Sequence, residues 1–227
     1  MDVSKRISFI ADLVDCKVMA DIGTDHGYLP ITAINRKNAE YIIATDINKK
    51  PLNKARENIM EAGLSDRIQL RLGSGLSPVS INEADCAVIS GMGGLLIKEI
   101  LEKDIDKARS FKEIIISPQS DIEAVRRFCH RAGFMIKAEH LIYDMDKFYN
   151  IMALGLGEDV FYDDKAYRYG RLLYENSNGV YLDFAKSEVK RIIYVINEIK
   201  RGAKTYGSLR KLDALNEDLQ FYKEFCQ

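Results

Sequence analysis

The sequence predicts an α/β protein in which a wound, mostly parallel sheet is followed by a purely helical segment. Three observations carry this. Over residues 17–156 short β-branched runs alternate with helical patterns, the signature of a wound sheet. The last two of those runs are separated only by the polar Asp144-Met145-Asp146-Lys147, so they read as an antiparallel hairpin closing the sheet. After Gly157 the strand pattern stops, and apolar residues recur at spacings of three and four.

In chain order, residues 4–14 place Ile7, Ile10, Ala11 and Val14 at the spacing of an amphipathic helix, with Lys5 and Arg6 on its polar face. The strands then read KVMADI, YIIATDI, IQLRL, DCAVIS, EIIISP, MIKAEHLIY and FYNIMALG. Helical patterns lie between them at 28–37, 50–62, 95–101 and 121–132. Five parallel strands and a terminal antiparallel pair make one domain over residues 1–156.

Residues 157–227 make the second. A polar bridge of Glu158, Asp159, Asp163 and Asp164 leads into helices only. Leu182, Ala185, Val189, Ile192, Ile196 and Ile199 form one narrow apolar seam; Leu212, Leu215, Leu219, Tyr222 and Cys226 form another. With Gly202 and Gly207 between them, the two runs read as an antiparallel, coiled-coil-like hairpin whose seams face each other. That favours a monomer, with a homodimer as the alternative use of the seams. Residues 179–211 carry eight basic residues (Lys186, Lys190, Arg191, Lys200, Arg201, Lys204, Arg210, Lys211) against Asp183, Glu188 and Glu198, a local charge of +5. Such a stretch reads as a solvated helix face or as a phosphate-contacting arm.

At 227 residues and 47% hydrophobic content the chain can bury a sizeable core. No apolar run approaches a membrane span, and Asp2, Lys5, Arg6, Asp12 and Asp15 break any signal-peptide pattern, so a cytoplasmic location is expected. Cys16, Cys86, Cys129 and Cys226 are far apart and only three histidines accompany them, which predicts reduced thiols and no structural metal. A formal net charge of -1 argues against indiscriminate coating of nucleic acid while allowing a local basic face.

In open α/β sheets ligands sit beyond the carboxyl ends of the strands, at the point where strand order reverses. The first strand ends Asp21-Ile22-Gly23-Thr24-Asp25-His26-Gly27-Tyr28. Gly23 suits a tight turn and Gly27 a helix that starts close to the sheet. Counted from Gly23, a dinucleotide fingerprint would need glycine at Asp25 and at Tyr28. A carboxylate would repel a pyrophosphate, whereas Asp21 or Asp25 would attract a ligand ammonium. Asp46, followed by Ile47 at the tip of the second strand, is placed to accept hydrogen bonds from ribose hydroxyls. Gly73-Ser74-Gly75 ends the third strand as permissive backbone for an adenine ring, and Ser90-Gly91-Met92-Gly93-Gly94 ends the fourth, where substrate can approach the chain closely.

Together "ADIGTDHGYLPI", "ATDINKKPLNKARENI", "SGMGGLLIKEIL", "SPQSDIEAVRRF" and "KFYNIM" closely resemble the bacterial tRNA adenine-22 N1-methyltransferase family, over roughly residues 3–156. The resemblance implies a Rossmann-like, seven-stranded class I methyltransferase sheet with an appended coiled-coil domain. It also implies S-adenosylmethionine as methyl donor and a tRNA adenine N1 as acceptor. It assigns Asp21, Gly23, Asp25 and Gly27 to the first cofactor motif, Asp46 to the ribose site and Gly91, Met92, Gly93 and Gly94 to the loop that carries an N-P-P-Y type motif in many adenine methyltransferases. With the reading of the strand ends, Ile47, Gly73, Ser74, Gly75, Gly91 and Met92 join the cofactor candidates, and Asp25, Met92 and Gly93 are the candidates for the reacting centre. Two departures stand out: Ser74 where related sequences often carry an acid, and Gln119 of Pro118-Gln119-Ser120 where a P-N pair is common.

N1 of adenine attacks with its own lone pair, so the expected catalysis is positioning, aided by a carboxylate that stabilises the cationic product. Asp25 is the candidate, with the cofactor ammonium as its rival role. His26 reads as a structural loop histidine rather than a proton carrier. Arg6, Tyr28, Gln119, Tyr149, Lys190 and Arg191 are the candidate tRNA contacts, with Arg126, Arg127 and Arg131 as further phosphate candidates. The competing expectations are a small-molecule methyltransferase dimerised by its helical hairpin and a noncatalytic, cofactor-sensing RNA-binding module.

Overall fold

The computed structural model describes residues 3–202 and 206–226. The first half runs α1 (Lys5–Leu13), β1 (Cys16–Ile22), α2 (Tyr28–Asn35), β2 (Ala39–Asp46), α3 (Lys49–Glu61), β3 (Ile68–Leu72), β4 (Cys86–Ser90) and α4 (Gly94–Lys103). There follow α5 (Ile105–Ser110), β5 (Glu113–Ser117), α6 (Ile122–Arg131), β6 (Phe134–Asp144), β7 (Lys147–Leu156), α7 (Asp164–Tyr169), α8 (Arg171–Glu175), α9 (Gly179–Arg201) and α10 (Tyr206–Lys223).

The seven strands form one sheet in the order β3-β2-β1-β4-β5-β7-β6. β1 to β5 are parallel, and β7 runs antiparallel to both β5 and β6. The fold is therefore the Rossmann-like sheet that the alternating pattern and the helix-free hairpin predict. Met145 and Asp146 turn that hairpin with φ of 48° and 60°, the positive values whose twist matches the flanking strands.

Successive residues of the central strands point to opposite faces, and both faces are covered. Met19 and Val88 pack with Ile10, Ala11 and Val14 of α1 and its end, and with Leu29, Ile31 and Ile34 of α2. Ala20, Ala87 and Ile89 face the other way, against Ile97 and Leu101 of α4 and Val125 and Phe128 of α6. Helix α5 escapes the periodic reading because its six residues, IDKARS, bury only Ala108; its Lys107 Nζ donates to the carbonyls of Leu76 and Ser77, both at 3.2 Å.

The chain forms two compact units, Met1–Leu172 and Leu173–Gln227. The first thus extends past the boundary after Leu156 that the loss of strand pattern marks, for a physical reason. Tyr162 and Ala166 belong to the apolar layer on the α4/α6 face of the sheet. Arg126 of α6, buried, bonds Glu139 through Nε at 3.0 Å and a terminal nitrogen at 2.6 Å, and donates to the carbonyls of Tyr167 and Arg168 at 2.7 and 3.2 Å. Arg126 is therefore an internal strut and not a phosphate contact. Arg127 bonds Glu123 and Asp164 at 2.9 and 2.7 Å and lies over the ring of Tyr167.

In the second unit α9 and α10 pair antiparallel, Tyr181 against Phe225 and Phe184 against Tyr222, with ring centroids 5.1 and 5.7 Å apart. The Asn178 side chain caps α9 by accepting from the N–H of Tyr181 at 3.1 Å. Ala185, Ile192, Ile196 and Leu215 are buried as the spacing predicts. The seam is more aromatic than that spacing implies, since Tyr181 and Phe221 are also buried, while Cys226 is exposed. No described helix is long and apolar enough to cross a membrane.

Candidate active site

Four strand ends converge on a cleft of ≈ 410 Å³. The turn after β1 contributes Asp21, Gly23, Asp25 and His26, and α2 contributes Tyr28 and Leu29. Asp46 comes from β2, Ser90, Gly91 and Met92 from the end of β4, Gln119 from beyond β5, and Arg6 and Ile7 from α1. The cleft lies where the chain leaves β1 in one direction for β2 and in the other for β4, the reversal point of a wound sheet.

The β1 turn is built by its backbone. Gly23 sits at φ 80°, and its N–H and that of Thr24 donate to the carbonyl of Thr45 at 2.8 and 2.7 Å, which brings Asp46 alongside. His26 and Gly27 then adopt φ of 60° and 72°, two left-handed residues that turn the chain into α2. Asn58 of α3 holds the His26 carbonyl at 2.7 Å. A Cβ on Gly27 would stand 3.3 Å from that of Ala55, so the close approach this glycine allows is to α3 rather than to the sheet.

The two acids of the turn differ sharply. Asp21 is 5% exposed, and burial pushes its carboxyl up to about 7, with the Thr24 hydroxyl opposing and the Asp46 charge adding. The side chain of Asp25 is 76% exposed, its Oδ1 3.2 Å from Nε2 of His26, whose ring stacks on Tyr28 at 5.5 Å and 15°. One oxygen of Asp46 accepts from the N–H of Asn48 at 2.7 Å, and the neighbouring Ile47 is an exposed apolar side chain.

Other predicted residues lie behind the cleft. The N–H of Gly73 donates to the Asp46 carbonyl at 2.9 Å, but a Cβ at Gly73 would collide with Pro78, and one at Gly75 would meet Ile100 at 3.1 Å. Packing explains these two glycines; Ser74 between them is exposed, and none of the three lines the cleft. Gly93 is the N-cap of α4, and a Cβ there would stand 3.3 Å from Ser120 Oγ, while one on Gly94 would collide with the Ser120 carbonyl. Of the residues read as the reacting centre, Asp25 and Met92 face the cleft and Gly93 is set behind it. The Met92 carbonyl accepts from the N–H of Gln119 at 2.9 Å, joining the β4 and β5 ends.

Tyr149 of β7 carries the Arg6 guanidinium 4.6 Å above its ring. Lys190 and Arg191 lie on α9, in the second unit. Arg191 is engaged by Glu188, at 2.9 and 2.6 Å, and Lys186 and Arg201 by Asp183 and Glu198 at 3.8 and 2.8 Å. Lys190, Lys200 and Lys211 are exposed; Lys204 lies outside the described residues. The sequence reading did not name Ile7, which it put on the apolar side of the first helix, or Leu29 as cleft residues; their positions one beyond Arg6 and Tyr28 were the signal available. Among the described residues no three His, Cys, Asp or Glu side chains group as metal ligands.

Residues 3–152 match the family described as Methyltransferase domain. Over 230 aligned residues, 99% of this chain and 97% of the relative, the sequence is 30% identical to the tRNA (adenine(22)-N(1))-methyltransferase of Bacillus subtilis (strain 168). The crystal structure of the B. subtilis m1A22 tRNA methyltransferase TrmK is similar over 100% of this chain and 99% of that one, at 28% identity and a TM-score of 0.86. M. capricolum TrmK, solved in complex with S-adenosyl-homocysteine, is similar over 99% of both chains, at 27% identity and a TM-score of 0.84. With nearly the whole of both lengths shared, the chain belongs to the tRNA (adenine(22)-N(1))-methyltransferase family.

Proposed function

We propose that the protein transfers the methyl group of S-adenosylmethionine to N1 of adenine 22 in tRNA. The observation that carries this reading is the cleft at the β1/β4 reversal, whose buried acid Asp21 has its carboxyl pushed up to about 7 by burial, with the Asp46 charge adding and no cation opposing. The ammonium of the cofactor's amino-acid end supplies that charge. Asp46 stands at the strand tip suited to the ribose hydroxyls, with exposed Ile47 beside it as an apolar surface for the adenine. When bound, the cofactor supplies an electrophilic methyl group on a sulfonium.

The division of labour follows from exposure. Asp21, buried, serves the cofactor; Asp25, exposed at the mouth and set by His26, faces the incoming base. There its carboxylate offsets the positive charge that methylation places on the adenine and accepts from the exocyclic amine as that group becomes more acidic. No base is needed before attack, because N1 carries its own lone pair. Holding the base in line is the larger contribution, worth up to several kcal/mol. N1 lies on the pairing edge, so the adenine enters unpaired, and the stacked His26 and Tyr28 rings offer a flat surface to receive it. The exposed lysines of the helical unit, Lys190 among them, are suited to phosphates elsewhere on the tRNA.

The test is transfer of labelled methyl from S-adenosylmethionine to an unmodified tRNA transcript and to the same transcript with guanine at position 22. Label is expected in the first alone; label in both, or in neither, overturns the reading.

A further inference from the structure

The charges of the cleft do not balance. Asp21, Asp25 and Asp46 face it, and Arg6 is the only lysine or arginine among its described lining residues. The sequence reads Arg6 as a tRNA contact, yet it lines the same small cleft as the three acids.

Helix α1 presents this side chain with unusual firmness for a surface helix. The Arg6 backbone N–H donates to Asp144 Oδ2 at 3.0 Å, and the Ser4 hydroxyl caps the same turn by accepting from Ile7 at 3.3 Å. Although burial opposes ionisation of Asp144, the Arg6 N–H, the Ser4 hydroxyl and the Lys5 N–H outweigh it and hold the carboxyl below its usual range. The guanidinium then lies over the Tyr149 ring, its Cζ 4.6 Å from the centroid. Its NH1 is buried and, among the described residues, has no hydrogen-bond partner. That atom lies beside the β4 loop, 4.0 Å from where a Cβ on Gly91 would stand. A charged donor that is fixed in place, shielded from water and left unpaired is a site prepared for an anion.

We propose that Arg6 binds the carboxylate of the cofactor's amino-acid end, as the counterpart of Asp21 at its ammonium. This rests on the reading of the cleft as the S-adenosylmethionine site. The zwitterionic end of that molecule needs one group of each sign, and among the described lining residues Arg6 is the one lysine or arginine the cleft offers. A tRNA phosphate, the other anion available, is served by exposed bases rather than by a nitrogen enclosed between α1 and the β4 loop.

The experiment is calorimetric binding, without tRNA, of S-adenosylhomocysteine and of its decarboxylated form, S-adenosyl-3-thiopropylamine, which lacks only the carboxylate. The wild-type protein prefers the carboxylated ligand by about tenfold or more, the scale of one charge-assisted hydrogen bond. In Arg6→Met that preference falls to about one, through loss of affinity for S-adenosylhomocysteine alone, and Arg6→Lys recovers part of it. An undiminished preference in both variants overturns the proposal, and with a raised KM for tRNA it assigns Arg6 to phosphate. Failure of the wild-type protein to bind S-adenosylhomocysteine at all overturns instead the reading of the site, and the proposal with it.

Discussion

The methyl group of Met92, on the loop after β4, fills the space in which a Cβ on Gly23, on the loop after β1, would stand. The two loops that border the reversal point of the sheet are thus interlocked, and Gly23 also holds a φ of 80°. Gly23→Ala is expected to strain the backbone and displace Met92, at a cost of about 1–3 kcal/mol in stability, with a clear loss of cofactor affinity. Thermal melting and calorimetric titration read the two effects. Adding Met92→Ala makes room for the new methyl but leaves the strain, so only part of the loss returns.

Asp21 makes stability and cofactor affinity respond oppositely to pH. Its folded-state value of about 7 lies above the ordinary carboxyl value of 3.8, so between these pH values the folded chain holds more protons than the unfolded one. Its contribution to stability is full below about 4, falls as pH rises to about 7, and is flat above. Asp21→Asn should therefore stabilise the ligand-free protein at pH 8, by on the order of 1–4 kcal/mol, and give no gain at pH 4. A cationic ligand favours the ionised acid, so wild-type affinity for S-adenosylmethionine rises with pH up to about 7, and binding below that releases a proton. Titration in buffers of different ionisation enthalpy measures it; the Asn variant should bind weakly and release none.

The buried Arg126–Glu139 pair joins α6 to β6 and, through the carbonyls of Tyr167 and Arg168, to α7. Glu139 also accepts from Asn150 at 2.8 Å. Arg126→Met leaves that carboxylate buried without its cation and is expected to cost about 3–5 kcal/mol in urea denaturation. The double variant Arg126→Met/Glu139→Leu should be less destabilised than the single one, because no uncompensated charge remains.

Truncations separate the two units. A chain ending at Leu172 keeps the whole first unit and should melt cooperatively and bind S-adenosylhomocysteine as the full chain does. One ending at Leu156 loses Tyr162 and Ala166 from the core and strips Arg126 of its carbonyl partners, and should not melt cooperatively. If the helical unit grips phosphates, the Leu172 truncation also binds tRNA more weakly and with a shallower salt dependence, which filter binding across a salt series measures.

Much of this fold is legible because it rests on short-range pattern. Alternation of β-branched runs with helices, and the polar Asp144-Met145-Asp146-Lys147 turn, specify the sheet and its antiparallel end. The acids and glycines of the β1 turn announce a ligand loop, and Asp21, Gly23, Asp25 and Asp46 do meet in one cleft. What sequence hides is long-range. Gly73, Gly75 and Gly93 look like ligand-approach glycines, but their neighbours Pro78, Ile100 and Ser120 account for them, and no local rule foretells the latter two contacts. Arg126 sits on a helix whose pattern makes it one more surface cation, and its pairing with Glu139 of β6 together with the return of α7 makes it internal. Arg6 reads as polar-face charge until the pairing of β6 with β7 brings Asp144 and Tyr149 to it. The helical seam is aromatic where an aliphatic repeat draws the eye, because Tyr181 and Phe184 find Phe225 and Tyr222 only after the chain has doubled back.

The decisive measurement maps the product. An unmodified tRNA transcript is incubated with the protein and S-adenosylmethionine, and primer extension by reverse transcriptase is compared with an untreated control. N1-methylation blocks pairing, so a new arrest is expected at adenine 22, accompanied by 1-methyladenosine in the nuclease digest and absent from Asp21→Asn at neutral pH. An arrest at another adenine, or methyl incorporation without 1-methyladenosine, contradicts the proposed function.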